Sequence, residues 1–344
     1  MGSAPLIGRT SPRRPRVVFF GTPDFAVPTL EALVASEHLE LTGVVTQPDR
    51  PAGRGRQFQA PPVKKAAVVL GVPVLQASTL RDDKARAWLR GRGADLYVVA
   101  AFGLILGRKI LTEPSLGAVN VHASLLPAYR GASPVASAIA MGEVKTGVSL
   151  MQMDAGLDTG PVYARQAIDI SKEDTTASLT QNLATLGAHL LYKTLPGIVD
   201  GTVTAQPQMG SATLTRPLVK ADGRIDWRRR PEQIINQVRA MMPWPRAFTT
   251  SASGTQLQLL EVRVDLGDLD LIAPAGQIMV DRGRLFVACG SGRVEIVTAQ
   301  IPGARATSGA QLLQRRAVLD GERLMSDSRT HGLPPLVINV GEEV

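Results

Sequence analysis

Cysteine is almost absent from these 344 residues: Cys289 is the only one. A single thiol builds neither a disulfide framework nor a multi-thiolate metal site, and it suits a reducing compartment. Cys289 therefore reads as a small core residue rather than a nucleophile. Histidine is nearly as scarce, with four in all and no two at metal-ligand spacing, so no metal is expected. Long apolar runs are missing too. The longest, LYVVAAFGLILG near 96–107, falls short of the roughly 20 residues a membrane helix needs and carries two glycines. The first strand-like run ends in GTPDFA, without the G-x-G-x-x-G of a dinucleotide turn, and PAGRGR lacks the Lys-Ser/Thr ending of a phosphate loop. No G-x-S-x-G elbow is present, which argues against a Ser-His-Asp hydrolase. The N-terminus has no apolar signal core, and Leu6 stands where a myristoylation signal places Ser or Thr. Residues 1–15 are expected to be a disordered basic arm, of a composition that also tolerates an organellar address.

What is abundant is positive charge, and it is unevenly placed. The chain carries a net +8, yet residues 1–16, 46–65 and 216–230 each carry +4, leaving −4 for the remainder. Basicity gathered into segments is the footprint expected for a polyanion such as nucleic acid, although basic loops are also commonly just solvated. Residues 48–60 are expected to be an exposed basic loop.

At this length, with 44% hydrophobic and 20% charged residues, one large and one smaller domain are expected. RVVFFG (16–21), LTGVVTQ (41–47), DLYVVAAFG and the run from Ala118 read as strands. Helices are predicted between them, one capped by Asp24, then at 61–70 and 81–90. TGVSLMQM (146–153) and PVYARQAIDI (161–170) continue the strands and are candidates for an antiparallel edge. A long helix follows from about Thr175 to Val199, with Leu179, Leu183, Leu186, Leu190 and Leu191 on one side. This alternation predicts an α/β, Rossmann-like domain over 16–203, built on a largely parallel twisted sheet. Residues 204–221 lack a sustained period and read as a linker. AFTT, QLQLLEVRV, GQIMV, RLFVACG and RVEIVTAQI then predict a smaller β-barrel, OB-like, over 222–330, with 331–344 a poorly ordered tail.

The chemistry-bearing stretch is AVNVHASLLPAYRGASP, residues 118–134. A buried strand places Asn120 and His122 on one face, and at a carboxyl edge they would border a cleft. MDAGLDTGPV supplies Asp158 in a turn that can reach the same edge. The ordinary readings are a satisfied core histidine and a turn-forming aspartate. Together, however, amide, imidazole and carboxylate suit acyl transfer without a protein nucleophile. The Asn and an imidazolium stabilise the developing oxyanion, while the carboxylate orients the ring and assists with the proton lost by an attacking amine.

FFGTPDFAVPTLEAL, TQPDRPAGRGRQ, APPVKKAA, FGLIL, NVHASLLPAYRGASPVASAI and TGVSLMQMDAGLDTG, in that order, resemble the methionyl-tRNA formyltransferase family over about residues 16–330. The likeness implies transfer of a formyl group from 10-formyltetrahydrofolate to methionine on initiator tRNA. It implies Asn120, His122 and Asp158 as the catalytic set and a folate site at Ser124, Leu125, Leu126 and Pro127, with Phe102, Gly103 and Leu104 as a further wall. It also gives tRNA contacts to Arg50, Arg54 and Arg56 and to Lys220, Arg224, Arg228 and Arg229. A cytoplasmic monomer without a membrane segment is expected. Leu214-Thr215-Arg216-Pro217-Leu218 departs from the family's Tyr-Ala-x-Lys pattern, so linker contacts to tRNA do not carry over there. Two alternatives remain: another formyl-folate enzyme acting on a nucleotide or amino sugar, and a noncatalytic RNA-binding protein on the same scaffold.

Overall fold

The computed structural model describes residues 13–52, 57–265, 273–325 and 335–340. Arg54, Arg56, most of the N-terminal arm and much of the tail lie outside the described residues. In chain order the first part comprises β1 (Arg16–Gly21), α1 (Val27–Val34), β2 (Glu40–Thr46), β3 (Arg50–Ala52), β4 (Gln57–Gln59), α2 (Pro62–Val69), β5 (Val74–Gln76), α3 (Asp83–Arg92), β6 (Leu96–Ala100), α4 (Arg108–Leu111), β7 (Ala118–His122), β8 (Arg130–Gly131), α5 (Pro134–Met141), β9 (Lys145–Gln152), β10 (Val162–Asp169) and α6 (Thr176–Asp200).

Seven of these strands form one sheet in the order β10-β9-β7-β6-β1-β2-β5. The five from β7 to β5 run parallel, whereas β9 and β10 complete an antiparallel edge. The inner strands are continuous apolar runs because both faces are covered: Val17 to Phe20 and Leu96 to Ala100 are all buried. The strand order reverses between β1 and β6. Ligands of open α/β sheets bind outside the carboxyl ends of the strands at such a switch point. α6 covers one face and begins with a reciprocal cap between Thr175 and Ser178, worth about 1 kcal/mol. Four of its five predicted apolar residues, Leu179, Leu183, Leu190 and Leu191, are buried in the core, and Leu186 packs against it. Asp24 is not a helix cap. It lies inside a short 3₁₀ turn, Asp24–Ala26, where Pro23 occupies the cap position.

The second part comprises β11 (Thr213–Thr215), α7 (Pro231–Ala240), β12 (Ala247–Thr250), β13 (Gln256–Asp265), β14 (Ile278–Asp281), β15 (Arg284–Ala288), β16 (Arg293–Gln300), β17 (Thr307–Ser308), α8 (Gly309–Gln314) and β18 (Val337–Asn339). β12, β13, β16, β15 and β14 form an antiparallel sheet in that order, and β17 pairs with β16. Residues 323–325 bridge its two edges: Arg323 pairs with Gln277 and Met325 with Thr250, so the sheet closes on itself. Trp227 fills the interior, fully buried, with its indole N–H donated to Thr249 Oγ1 at 3.0 Å. The two parts are joined by polar locks beside α7. Arg239 donates to the carbonyls of Ser171 and Asp174, and Thr176 Oγ1 donates to Ala240 O.

The linker and tail differ from expectation. Thr213–Thr215 is a strand, parallel to β8 on one side and antiparallel to Val337–Asn339 on the other. Both segments are only three residues long, too short for a pattern to declare a strand. Their order comes from backbone pairing to a distant partner, which a local reading does not contain. Among the described residues no helix is long and apolar enough to cross a membrane.

Candidate active site

β7 pairs with β6 only as far as Asn120, which lies opposite Val99. His122 therefore stands at the carboxyl edge of the sheet, with Ser149 of β9 opposite on its other side. Asn120 is half-buried, and among the described residues its amide has no side-chain hydrogen-bond partner. His122 is 6% exposed and held from two directions. Its Nε2 lies 3.0 Å from the carbonyl of Tyr129, which can only accept, so Nε2 carries a proton. Its Nδ1 faces Asp158 Oδ2 at 3.6 Å.

The turn 154–160 separates the roles of its two aspartates. Asp154 accepts from Gly156 N and from Thr159 Oγ1, closing the turn on itself. Asp158 instead reaches out of it, and its Oδ2 accepts the Gly131 N–H at 2.8 Å. The Asp158 backbone is left-handed, with φ 53°, an uncommon conformation for a residue with a side chain. Gln208 spans the turn: its Nε2 donates to the carbonyls of Asp158 and Gly160, both at 2.8 Å, while its Oε1 accepts from Arg130 Nε and Nη2.

The loop after β7 is pinned by polar groups beneath it. Ser124 Oγ donates to Ala128 O, Ser149 Oγ donates to Ser124 O, Leu126 N donates to Ser149 Oγ, and Arg165 Nε donates to Leu126 O. Ser124 and Leu126 are buried, so only Leu125 and Pro127 of this quartet present side chains toward solvent. Tyr129 is fixed at both ends. Its N–H donates to Thr213 Oγ1, and its hydroxyl donates to Glu143, with burial and that carboxylate pushing the phenol above its usual range. Gly131 has φ 100°, and a Cβ there would lie 2.3 Å from Thr215 O. Only glycine lets this backbone meet β11 and Asp158 together.

At the switch point, the Phe102 ring turns into the core against Phe20, with centroids 5.4 Å apart. Its carbonyl accepts from Thr22 Oγ1 and Gln47 Nε2. What this segment turns outward is exposed Gly103 and half-buried Leu104.

The basic residues sort into two places. Arg50 is exposed and opens a β3–β4 hairpin that follows β2 at the same sheet edge as His122. The hairpin base is tied down by Asp49, which accepts from Lys64 and Gln76, contacts that hold its carboxyl below the usual range. In the second part Lys220 and Arg229 are exposed, and Arg224 stacks over Phe248. Arg228 is already engaged by both carboxylate oxygens of Asp226, which lowers the charge it offers elsewhere. Arg216, in the stretch that departs from the family pattern, pairs with Asp222. Among the described residues no cluster of His, Cys, Asp and Glu suits a metal. Sequence reasoning missed Gln208, Thr213, Thr215, Ser149 and Arg165. The first three lie in the aperiodic linker, and nothing in the other two strands signalled a contact to the loop.

Asn120, His122 and Asp158 thus lie at the carboxyl edge of the sheet, in a chain whose two parts both match the formyl transferase class. Residues 15–195 match the family described as "Formyl transferase", and residues 217–317 match "Formyl transferase, C-terminal domain". A solved sugar 3N-formyl transferase, WlaRD, crystallised in the presence of dTdp and 5-N-formyl-THF, shares the fold. It has TM-score 0.60 at 15% identity, over 85% of this chain and 100% of that one. The chain is 45% identical over 308 residues to "Methionyl-tRNA formyltransferase" of Sorangium cellulosum (strain So ce56), covering 89% of this chain and 98% of the relative. It is also 45% identical over 310 residues to the protein of that name from Roseiflexus sp. (strain RS-1), covering 90% and 95%. The chain belongs to the methionyl-tRNA formyltransferase family.

Proposed function

We propose that this protein moves the formyl group of 10-formyltetrahydrofolate onto the α-amino group of methionine carried by initiator tRNA. The observation that carries the reading is the Asn120 amide, without a side-chain partner among the described residues, two positions from an imidazole fixed between Tyr129 O and Asp158. The amine nitrogen forms a bond to the formyl carbon, and the carbonyl oxygen takes up negative charge. Asn120 donates to that oxygen in a half-buried site where such donors act strongly, and the His122 Nε2–H, which rests on Tyr129 O, turns to the stronger acceptor. The bond from the formyl carbon to the folate nitrogen then breaks. The proton lost by the amine passes through His122, steadied by Asp158, and the departing nitrogen gains one, so charge and protons balance. No side chain becomes covalently attached.

Exposed Gly103 and half-buried Leu104, Leu125 and Pro127 would offer apolar surface to a flat folate ring. The buried Ser124, Leu126 and Phe102 shape the loops that carry them. Arg50, Arg54 and Arg56 would meet the acceptor end of the tRNA beside the site. Lys220, Arg224 and Arg229 would meet phosphates further along it, with Arg228 contributing less because of Asp226. The protein acts as a cytoplasmic monomer in this reading. The test is a formylation assay with purified protein, formyl donor and charged initiator tRNA, with charged elongator tRNA and a free amino sugar as competing acceptors. Transfer to initiator tRNA is expected, and formyl appearing only on the sugar would overturn the reading.

A further inference from the structure

Gln208 is separated from Asp158 by 50 residues and from Arg130 by 78, and lies where the chain has left the sheet. Its amide nevertheless spans the catalytic turn. One Nε2 donates to the carbonyls on either side of Thr159, and the single oxygen accepts two N–H groups of Arg130. The stretch before it is also anchored, since Gln206 and Val162 exchange backbone hydrogen bonds of 2.8 and 2.9 Å just past the turn. Thr213 and Thr215 then bind Tyr129 N, Ser133 N and Arg130 O. The linker thus touches the backbone on both sides of the His122–Asp158 contact.

We propose that Gln208, held by Arg130, is a positioning residue for formyl transfer. Its two N–H donations keep Asp158 in the left-handed conformation from which the carboxylate reaches both Gly131 N and His122 Nδ1. The reasoning is geometric. A non-glycine residue with φ 53° relaxes toward negative φ unless its surroundings hold it. Asp158's own carbonyl is held by one of the two donations, and the other fixes Gly160 two residues on. Arg130 has five N–H donors and no acceptor, so it can bond the Gln208 oxygen but not the nitrogen. This sets which end of the amide faces the turn. Released, the turn swings the carboxylate away from the imidazole without altering either substrate-binding wall.

This rests on the formyl-transfer reading, and the test separates the two. Gln208→Glu keeps an acceptor for Arg130 but removes both donors and sets negative charge against two carbonyls. Gln208→Ala removes everything. Both are expected to lower kcat by about 10²-fold with KM for each substrate within about twofold, and Gln208→Glu to be at least as impaired as Gln208→Ala although it keeps the Arg130 contact. ¹⁵N NMR of the His122 ring, read without any turnover, is expected to move in Gln208→Ala as it does in Asp158→Asn. An unchanged kcat in Gln208→Glu, or an unmoved His122 signal in folded Gln208→Ala, would overturn the proposal. A wild-type protein that transfers no formyl group would instead sink the functional reading, and the ring signal would still decide the role of Gln208.

Discussion

Gly131 donates its backbone N–H to Asp158 Oδ2 at 2.8 Å, the same oxygen that faces His122 Nδ1 at 3.6 Å. One carboxylate oxygen therefore ties the loop after β7 to the turn after β9, with the imidazole between them.

Removing the groups that act on the transferring carbon should cost rate rather than affinity. His122→Ala is expected to lower kcat by a factor on the order of 10² to 10⁴ while tRNA affinity stays near normal. Asn120→Ala is expected to fall by about 10² to 10³, as for loss of one oxyanion donor. Single-turnover kinetics with a parallel tRNA-binding titration check both, and wild-type turnover in either variant would remove that residue from the mechanism.

Gly131→Ala forces a methyl group toward Thr215 O at 2.3 Å and a left-handed backbone onto a residue that resists it. The expected loss is about 1–3 kcal/mol of local stability, with kcat reduced because β8 must move and Asp158 loses its N–H partner. Thermal unfolding together with kcat measures this. An alanine variant with full activity and unchanged Tm would show that the close approach is unimportant.

Arg54→Ala combined with Arg56→Ala should weaken tRNA binding and flatten its salt dependence. For every phosphate that is no longer neutralised, the slope of log K against log salt becomes shallower by about 0.7–0.9. Binding measured across a salt series tests it, and an unchanged slope assigns the loop another purpose.

Burial pushes the Cys289 thiol up from 9.0 to about 12. The folded protein keeps this proton at pH values where the unfolded chain releases it. The group's contribution to stability is therefore constant below about pH 9 and falls as pH rises to about 12, by at most about 1.4 kcal/mol per unit. At about pH 8 a thiol reagent should leave the native protein untouched and label one thiol in denaturant. Rapid labelling of native protein would contradict the burial.

The sheet was readable because its strands are apolar runs interrupted at meaningful places. Asn120 and His122 stand out for being polar where Val119 and Val121 are core. Asp158 was separable from Asp154 only through the surrounding motif, since both lie in the same glycine-rich turn and composition treats them alike. Phe102 shows the opposite hazard: an apolar residue in a suggestive segment whose ring belongs to the core and whose carbonyl is taken by Thr22 and Gln47, leaving only its neighbours exposed. Gln208 and Thr213 were invisible because they act through backbone contacts to residues 50 to 84 positions away. The tail strand was invisible because three residues, Val337–Asn339, are too few to read and their partner is distant.

That tail strand carries a consequence for how the protein is made. Gly131 and Val337 lie on either side of β11, so two ribs of a single small sheet are synthesised 206 residues apart. At ribosomal rates of 5–20 residues per second the gap is roughly 10–40 s. The large sheet and the β8–β11 pair have time to assemble first, and the outer rib arrives last. A newly made molecule thus passes through an interval in which one flank of β11 is still bare.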